Sequence, residues 1–150
     1  MQKHLFLLAA SLLASAGPAA AADHTIQMLN KGANGQTMVF EPSFLKIAPG
    51  DAVTFVPTDK SHDSESIPGM IPDGAAPWKG KINQETRVTF TTEGIYGFKC
   101  SPHYAMGMTG LIQVGDSAPN LEAAKAVKQP PMAKRRFDED FKLVTAPPAH

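Results

Sequence analysis

The stretch Tyr96–Gly115, YGFKCSPHYAMGMTGLIQVG, holds the one cysteine of a 150-residue chain. On either side of it the runs IYGFKC and TGLIQVG have the apolar content and length of short strands, and Pro102 and Gly107 punctuate the link between them. One tight loop therefore carries Cys100, His103, Met106 and Met108. A turn of that kind can aim a thiol, an imidazole and a thioether at a single point.

Working outward, the chain from about Thr25 to Gly115 is a series of half-apolar segments separated by turn residues. TIQML precedes the Asn34-Gly35 turn, MVFEP and FLKIAPGD follow, and Pro49-Gly50 introduces DAVTFVPTD, in which Val53 and Phe55 alternate with Thr54. RVTFTTEG repeats the alternation with Val88 and Phe90. Strands at this density predict an all-β fold of two antiparallel sheets packed as a Greek-key β-sandwich. SIPGMIPDGAAPWKGKINQE carries Pro68, Pro72 and Pro77 with Gly69, Gly74 and Gly80, which excludes a central strand and predicts a long loop across one end or edge. After Gly115 the pattern changes. APNLEAAKAV and MAKRRFDEDFKLV predict two short C-terminal helices that lay Leu121, Val127, Phe137 and Phe141 on the sheet, with TAPPAH as a loose tail.

The N-terminus has the layout of a cleaved export signal: Lys3 and His4, an apolar run from Leu5 to Leu13, then small residues ending at Ala22. The apolar run is shorter than the roughly 20 residues a spanning helix needs. The expected organisation is a signal over 1–22, a sandwich over 23–116 and a helical extension over 117–150, exported to the periplasm and not held in a membrane. The 14 basic and 14 acidic residues balance, and removing Lys3 with the leader leaves 13 against 14, so no charge excess argues for nucleic acid. An oxidising compartment favours paired cysteines, and a lone one there is a free thiol, an intermolecular link or a metal ligand.

Metal ligation is the reading that uses the neighbours. With His4 in the leader, His24 at the new N-terminus and His150 at the last position, the body of the chain retains His62 and His103. His62 lies in TDKSHDSES just beyond a strongly patterned strand, so a sandwich can bring it to the Cys100 loop. Two imidazoles, one thiolate and a weak axial thioether are the ligands of a blue-copper electron-transfer site, with Cys100, His103, Met108 and His62 as the set. Soft sulfur suits Cu(I) and imidazole suits both oxidation states, so such a site reorganises little when an electron moves.

At these residues the chain resembles the pseudoazurins, small type 1 copper proteins of the cupredoxin fold. MLNKG, MVFEP, IAPGD, TFVPTDK, GMIPDGA, YGFKCSPHYAMGM and a two-helix tail after QVGD carry the likeness. The resemblance implies one type 1 copper per chain held by His62, Cys100, His103 and Met108, and it prefers Met108 over Met106 as the axial ligand. It also implies imidazole coordination through Nδ1, with the edge of His103 near the surface as the route for electrons. Met38, Pro102, Met106 and the Ile71-Pro72 region are the candidates for an apolar rim around that edge. Lys31, Lys60, Lys79 and Lys99 are candidates for a basic ring. By the same resemblance the protein is a monomeric carrier and not an enzyme, with copper nitrite reductase and c-type cytochromes as transient redox partners. One departure is Asp63, where the family usually has asparagine; an aspartate can accept a backbone hydrogen bond but cannot donate one when ionised. Two other readings compete: a copper trafficking or storage protein, and a cysteine hydrolase using Cys100 with His103 as its base.

Overall fold

The computed structural model describes residues 20–145; the leader over residues 1–19 and the TAPPAH tail beyond Thr145 lie outside the described residues. Among the described residues, eight strands form two four-stranded sheets. The first has the order β2 (Thr37–Glu41), β1 (Asp23–Lys31), β4 (Ala52–Val56), β6 (Thr86–Thr89); the second has the order β3 (Phe44–Ile47), β8 (Thr109–Val114), β7 (Gly94–Lys99), β5 (Glu65–Ser66). The chain then ends in α1 (Leu121–Ala126) and α2 (Pro131–Phe141). This is the expected all-β sandwich with two C-terminal helices.

The strand directions differ from expectation. Each sheet is mixed: β1 runs parallel to β4, with Ile26 opposite Phe55, and β3 runs parallel to β8, with Leu45 opposite Ile112. After β2 the chain changes sheet at every step until β7, and such crossings let strands meet in parallel where a hairpin cannot. The Pro-rich segment is a loop, as read from the sequence. At its start, Glu65 and Ser66 make the short strand β5 that pattern alone did not reveal. Pro68, which has no N–H to donate, ends the pairing that Glu65 begins.

The inter-sheet core is aromatic. Phe98 meets Phe40 edge-on at 4.8 Å and Phe55 at 5.1 Å between ring centroids, and Trp78 reaches in from the long loop to stack on Phe55 at 5.8 Å. Gly110 permits this, because a Cβ there would lie 2.3 Å from the Phe98 ring. Cys100 and Met108 are buried in the same cluster. β7 and β8 are buried on both faces, since Ile95 and Leu111 point the other way into a second cluster with Met70, Ala124 and Phe137. The helices are what cover that outer face. Pro131 sits at the first turn of α2, where its missing N–H costs nothing, and Ala133, Phe137 and Asp140 fall on the face turned inward. Among the described residues no helix is long and apolar enough to cross a membrane.

Asp140 is an unusual choice for that inward face. The Ser43 hydroxyl donates to its Oδ1 at 2.8 Å, while Oδ2 is buried with no partner among the described residues. Burial pushes the carboxyl up to about 6, against the opposing pull of Ser43 and Arg136. A carboxyl whose folded pKa exceeds its unfolded one binds its proton more tightly in the fold. Its contribution is complete below about pH 4 and is lost as pH rises through about 6. Asp140→Asn is therefore expected to gain on the wild type across that window, by on the order of 2 kcal/mol at neutral pH. Urea midpoints measured across the window check this, and parallel profiles for the two proteins would contradict it.

Candidate metal centre

Three donor side chains from two separated segments meet at one end of the sandwich, and Met108 is buried in the core cluster that holds Cys100. His62 leaves β4 through a loop and is fully buried. Asn83 brackets it: the Ser61 N–H donates to Asn83 Oδ1 at 2.6 Å, and the Asn83 N–H donates to the His62 carbonyl at 2.9 Å. Cys100 closes β7 and begins a 3-10 turn, Ser101–Met106, in which Pro102 occupies the first turn. Gly107, at φ 87°, reverses the chain into β8. Within this loop the Cys100 N–H donates to the Met108 carbonyl at 3.0 Å, and the Met108 N–H donates to the His103 carbonyl at 3.1 Å.

The donor atoms converge. His62 Nδ1 lies 3.1 Å from His103 Nδ1, and Cys100 Sγ lies 3.7 Å from the first nitrogen and 3.5 Å from the second. His62 Nε2 faces the Asn30 amide oxygen at 2.9 Å, so Nε2 carries the proton and Nδ1 presents its lone pair to the other donors. Burial, then the neighbouring His103, lowers the His62 pKa, and burial pushes the Cys100 thiol up to about 11. Neutral imidazole and deprotonated thiolate are the ligand forms, so a cation among these atoms would release the thiol proton while His62 is already in its binding state. Lone pairs on two imidazole nitrogens and a buried sulfur, with a buried thioether in the same core cluster as that sulfur, fit a copper ion.

The two methionines separate by burial. Met108 is inaccessible and belongs to the same buried cluster as Cys100, whereas Met106 is 47% exposed. His103 is partly exposed, with Pro102 and Met106 exposed beside it in the same turn and Met38 half-buried. Pro72 leaves the expected rim: it packs over Gly94, at the opposite end of β7 from Cys100. His24 is likewise elsewhere, near the start of β1, where Nε2 meets Asp51 Oδ2 at 2.8 Å. Of the four lysines, Lys31 and Lys60 are exposed. Lys99 lies 3.1 Å from Glu65 and 4.6 Å over the Tyr104 ring, and Lys79 lies 3.7 Å from the same carboxylate, so the local excess of positive charge is reduced.

Asp63 has a structural task. Its Oδ1 accepts the Ser101 N–H at 2.6 Å, joining the His62 segment to the Cys100 segment directly next to a donor on each. Sequence reading anticipated a backbone bond there. It missed Asn30, Asn83 and the contact of the Trp78 indole N–H with Ser64 Oγ at 3.1 Å, because a residue that acts by a single hydrogen bond to a distant segment leaves no local pattern.

Comparison with known proteins agrees with this geometry. Residues 26–115 match the family described as copper binding proteins, plastocyanin/azurin family. The pseudoazurin of Paracoccus pantotrophus is 52% identical over 136 residues, covering 91% of this chain and 93% of the relative. The crystal structure of pseudoazurin from Methylobacterium extorquens AM1 superposes with a TM-score of 0.79 at 47% identity, covering 82% of this chain and 99% of that one. Native pseudoazurin from Hyphomicrobium denitrificans gives 0.79 at 46%, covering 82% and 98%.

Replacing Asp63 with alanine strands the Ser101 N–H and is expected to cost about 1–3 kcal/mol. Asp63→Asn keeps an acceptor and is expected to retain most of that stability. Denaturant midpoints of the two variants check this; an alanine variant as stable as the wild type would show that the loop-to-loop bond contributes nothing.

Proposed function

The chain belongs to the plastocyanin/azurin family of copper-binding proteins, on its pseudoazurin branch, and from that premise we propose that His62, Cys100, His103 and Met108 bind one type 1 copper used to carry single electrons in the periplasm. The observation that carries this reading is the meeting of His62 Nδ1, His103 Nδ1 and Cys100 Sγ, all within 4.8 Å of one another. When bound, copper supplies a Cu(II)/Cu(I) couple for which thiolate, thioether and imidazole are suited ligands.

The protein's own groups do the rest. Asn30 fixes the His62 tautomer, and Asp63 holds the two donor segments together. The buried Phe40, Phe55 and Phe98 cluster keeps water from the sulfur side. His103 is the candidate ligand with solvent access, so electrons enter and leave by its edge. Exposed Met106 and Pro102 beside it offer a small apolar contact of the kind a transient partner can leave quickly. Copper nitrite reductase as acceptor and a c-type cytochrome as donor are the partners we propose, on family resemblance. We further propose a monomer whose residues 1–22 are removed on export, leaving a sandwich over 23–116 and a helical extension over 117–150.

A carrier, in this reading, is not an enzyme. A nucleophilic cysteine needs a lowered pKa and access, and Cys100 has a raised pKa and no exposure. A trafficking or storage site would gain from exchangeable, exposed sulfur, whereas Cys100 and Met108 are both buried.

The test is the optical and paramagnetic-resonance spectrum of the protein loaded with Cu(II). An intense visible thiolate band is expected, and Cys100→Ser is expected to abolish it while the sandwich still folds; a colourless wild type or a blue serine variant would overturn the assignment. Met108→Leu is expected to raise the reduction potential, since the thioether supports Cu(II) weakly and leucine does not support it at all. Voltammetry showing a fall or no change would remove Met108 from the ligand set.

A further inference from the structure

We propose that Arg136, on the C-terminal helix and remote in sequence from every candidate ligand, is the positioning residue for the Met108 thioether; this rests on the reading of Met108 as axial ligand. The carbonyl of Gly107 and the N–H of Met108 belong to the same plane. That N–H donates to the His103 carbonyl at 3.1 Å, and Arg136 Nη1 donates to the Gly107 carbonyl at 2.8 Å. The next plane is held as well, because the Met108 carbonyl accepts the Cys100 N–H. Two of these three anchors tie Met108 to the other ligands of its own loop. Arg136 is the one that ties it to the rest of the molecule.

The same guanidinium reaches the other side of the site. Nη1 also donates to the Met38 carbonyl at 2.5 Å, and Nη2 donates to the Thr37 carbonyl at 2.8 Å. Met38, at φ 51°, sits between the paired positions Thr37–Lys31 and Val39–Leu29, facing the Asn30 that orients His62. Met38 and Gly107 are both in the left-handed region, where a carbonyl turns away from the strand ladder and needs a donor from elsewhere. A planar group with several N–H donors can serve three carbonyls at once, which a lysine ammonium cannot do in the same geometry.

Close approach of the helix is part of the device. A Cβ at Gly107 would lie 3.1 Å from Arg136 Nε and 3.1 Å from the Met132 carbonyl, so glycine serves both the turn and the docking of α2. A second tether accompanies it: the Tyr104 hydroxyl, in the same 3-10 turn, donates to Gln129 Oε1 just before α2. The helical extension thus clasps the ligand loop from outside the sandwich, and Arg136 is where the clasp meets the backbone of a ligand.

The experiment compares Arg136→Met, which keeps an apolar stem and removes the donors, with Arg136→Lys and with Phe137→Leu, which weakens α2 packing alone. In the copper-free protein, amide exchange at Met108 is expected to rise about tenfold in R136M beyond F137L at matched loss of global stability. R136K is expected to recover part of the protection. In the copper-loaded protein, R136M is expected to change the ratio of the visible thiolate bands and the resonance signal, and F137L to leave them unchanged. Equal exchange and equal spectra in R136M and F137L would overturn the positioning role. A wild type lacking the thiolate band would instead overturn the ligand reading, so the two failures are distinguishable.

Discussion

Two imidazole nitrogens 3.1 Å apart beside a buried sulfur concentrate lone pairs at a point where His62 and Cys100 are closed to solvent. Such a cluster is tolerable only if a proton or a cation lies among its members, because buried polar atoms without partners are costly. The fold holds the cluster together all the same. His62 is fixed by Asn30 on its far nitrogen and by Asn83 on its backbone, and Asp63 staples its segment to Ser101. The candidate ligands are therefore held by groups outside the set, which is the condition for a site that keeps its geometry while its charge changes.

The sandwich explains how segments 38 residues apart can meet in this way. β7 delivers Cys100 from the centre of one sheet, and the loop after β4 delivers His62 from the other. Phe98, one strand position before Lys99, fills the space between the sheets and keeps the sulfur side dry. The opposite face of β7 and β8 is apolar too, and this second hydrophobic face is why the chain continues past the sandwich. Helices α1 and α2 bury it, and in doing so bring Arg136 and Gln129 against the loop that carries His103 and Met108.

Much of this could be read from residues alone where the signal is local. Alternation in DAVTFVPTD and RVTFTTEG identified strands, and Cys100, His103 and Met108 within one loop announced metal chemistry. His62 followed by elimination of the other histidines. Strand direction could not be read, since alternation reports which face is buried and is silent on whether the partner runs parallel, as β1 with β4 and β3 with β8 do. Spacing left Met106 and Met108 both open, and burial distinguishes them because the turn at Gly107 points one outward and the other in. Arg136 was invisible for a deeper reason: it recognises backbone carbonyls, which every residue has, so nothing at Thr37, Met38 or Gly107 marks them as its partners.

The proposed function requires one thiolate sulfur and two imidazole nitrogens to share a single copper. X-ray absorption at the copper edge of the loaded protein tests it most directly, because it counts scatterers without reference to colour or potential. One short sulfur contact with two imidazole nitrogens is the expected result. A shell of nitrogen and oxygen alone would mean that Cys100 does not bind the metal and that the converging donors serve some other purpose.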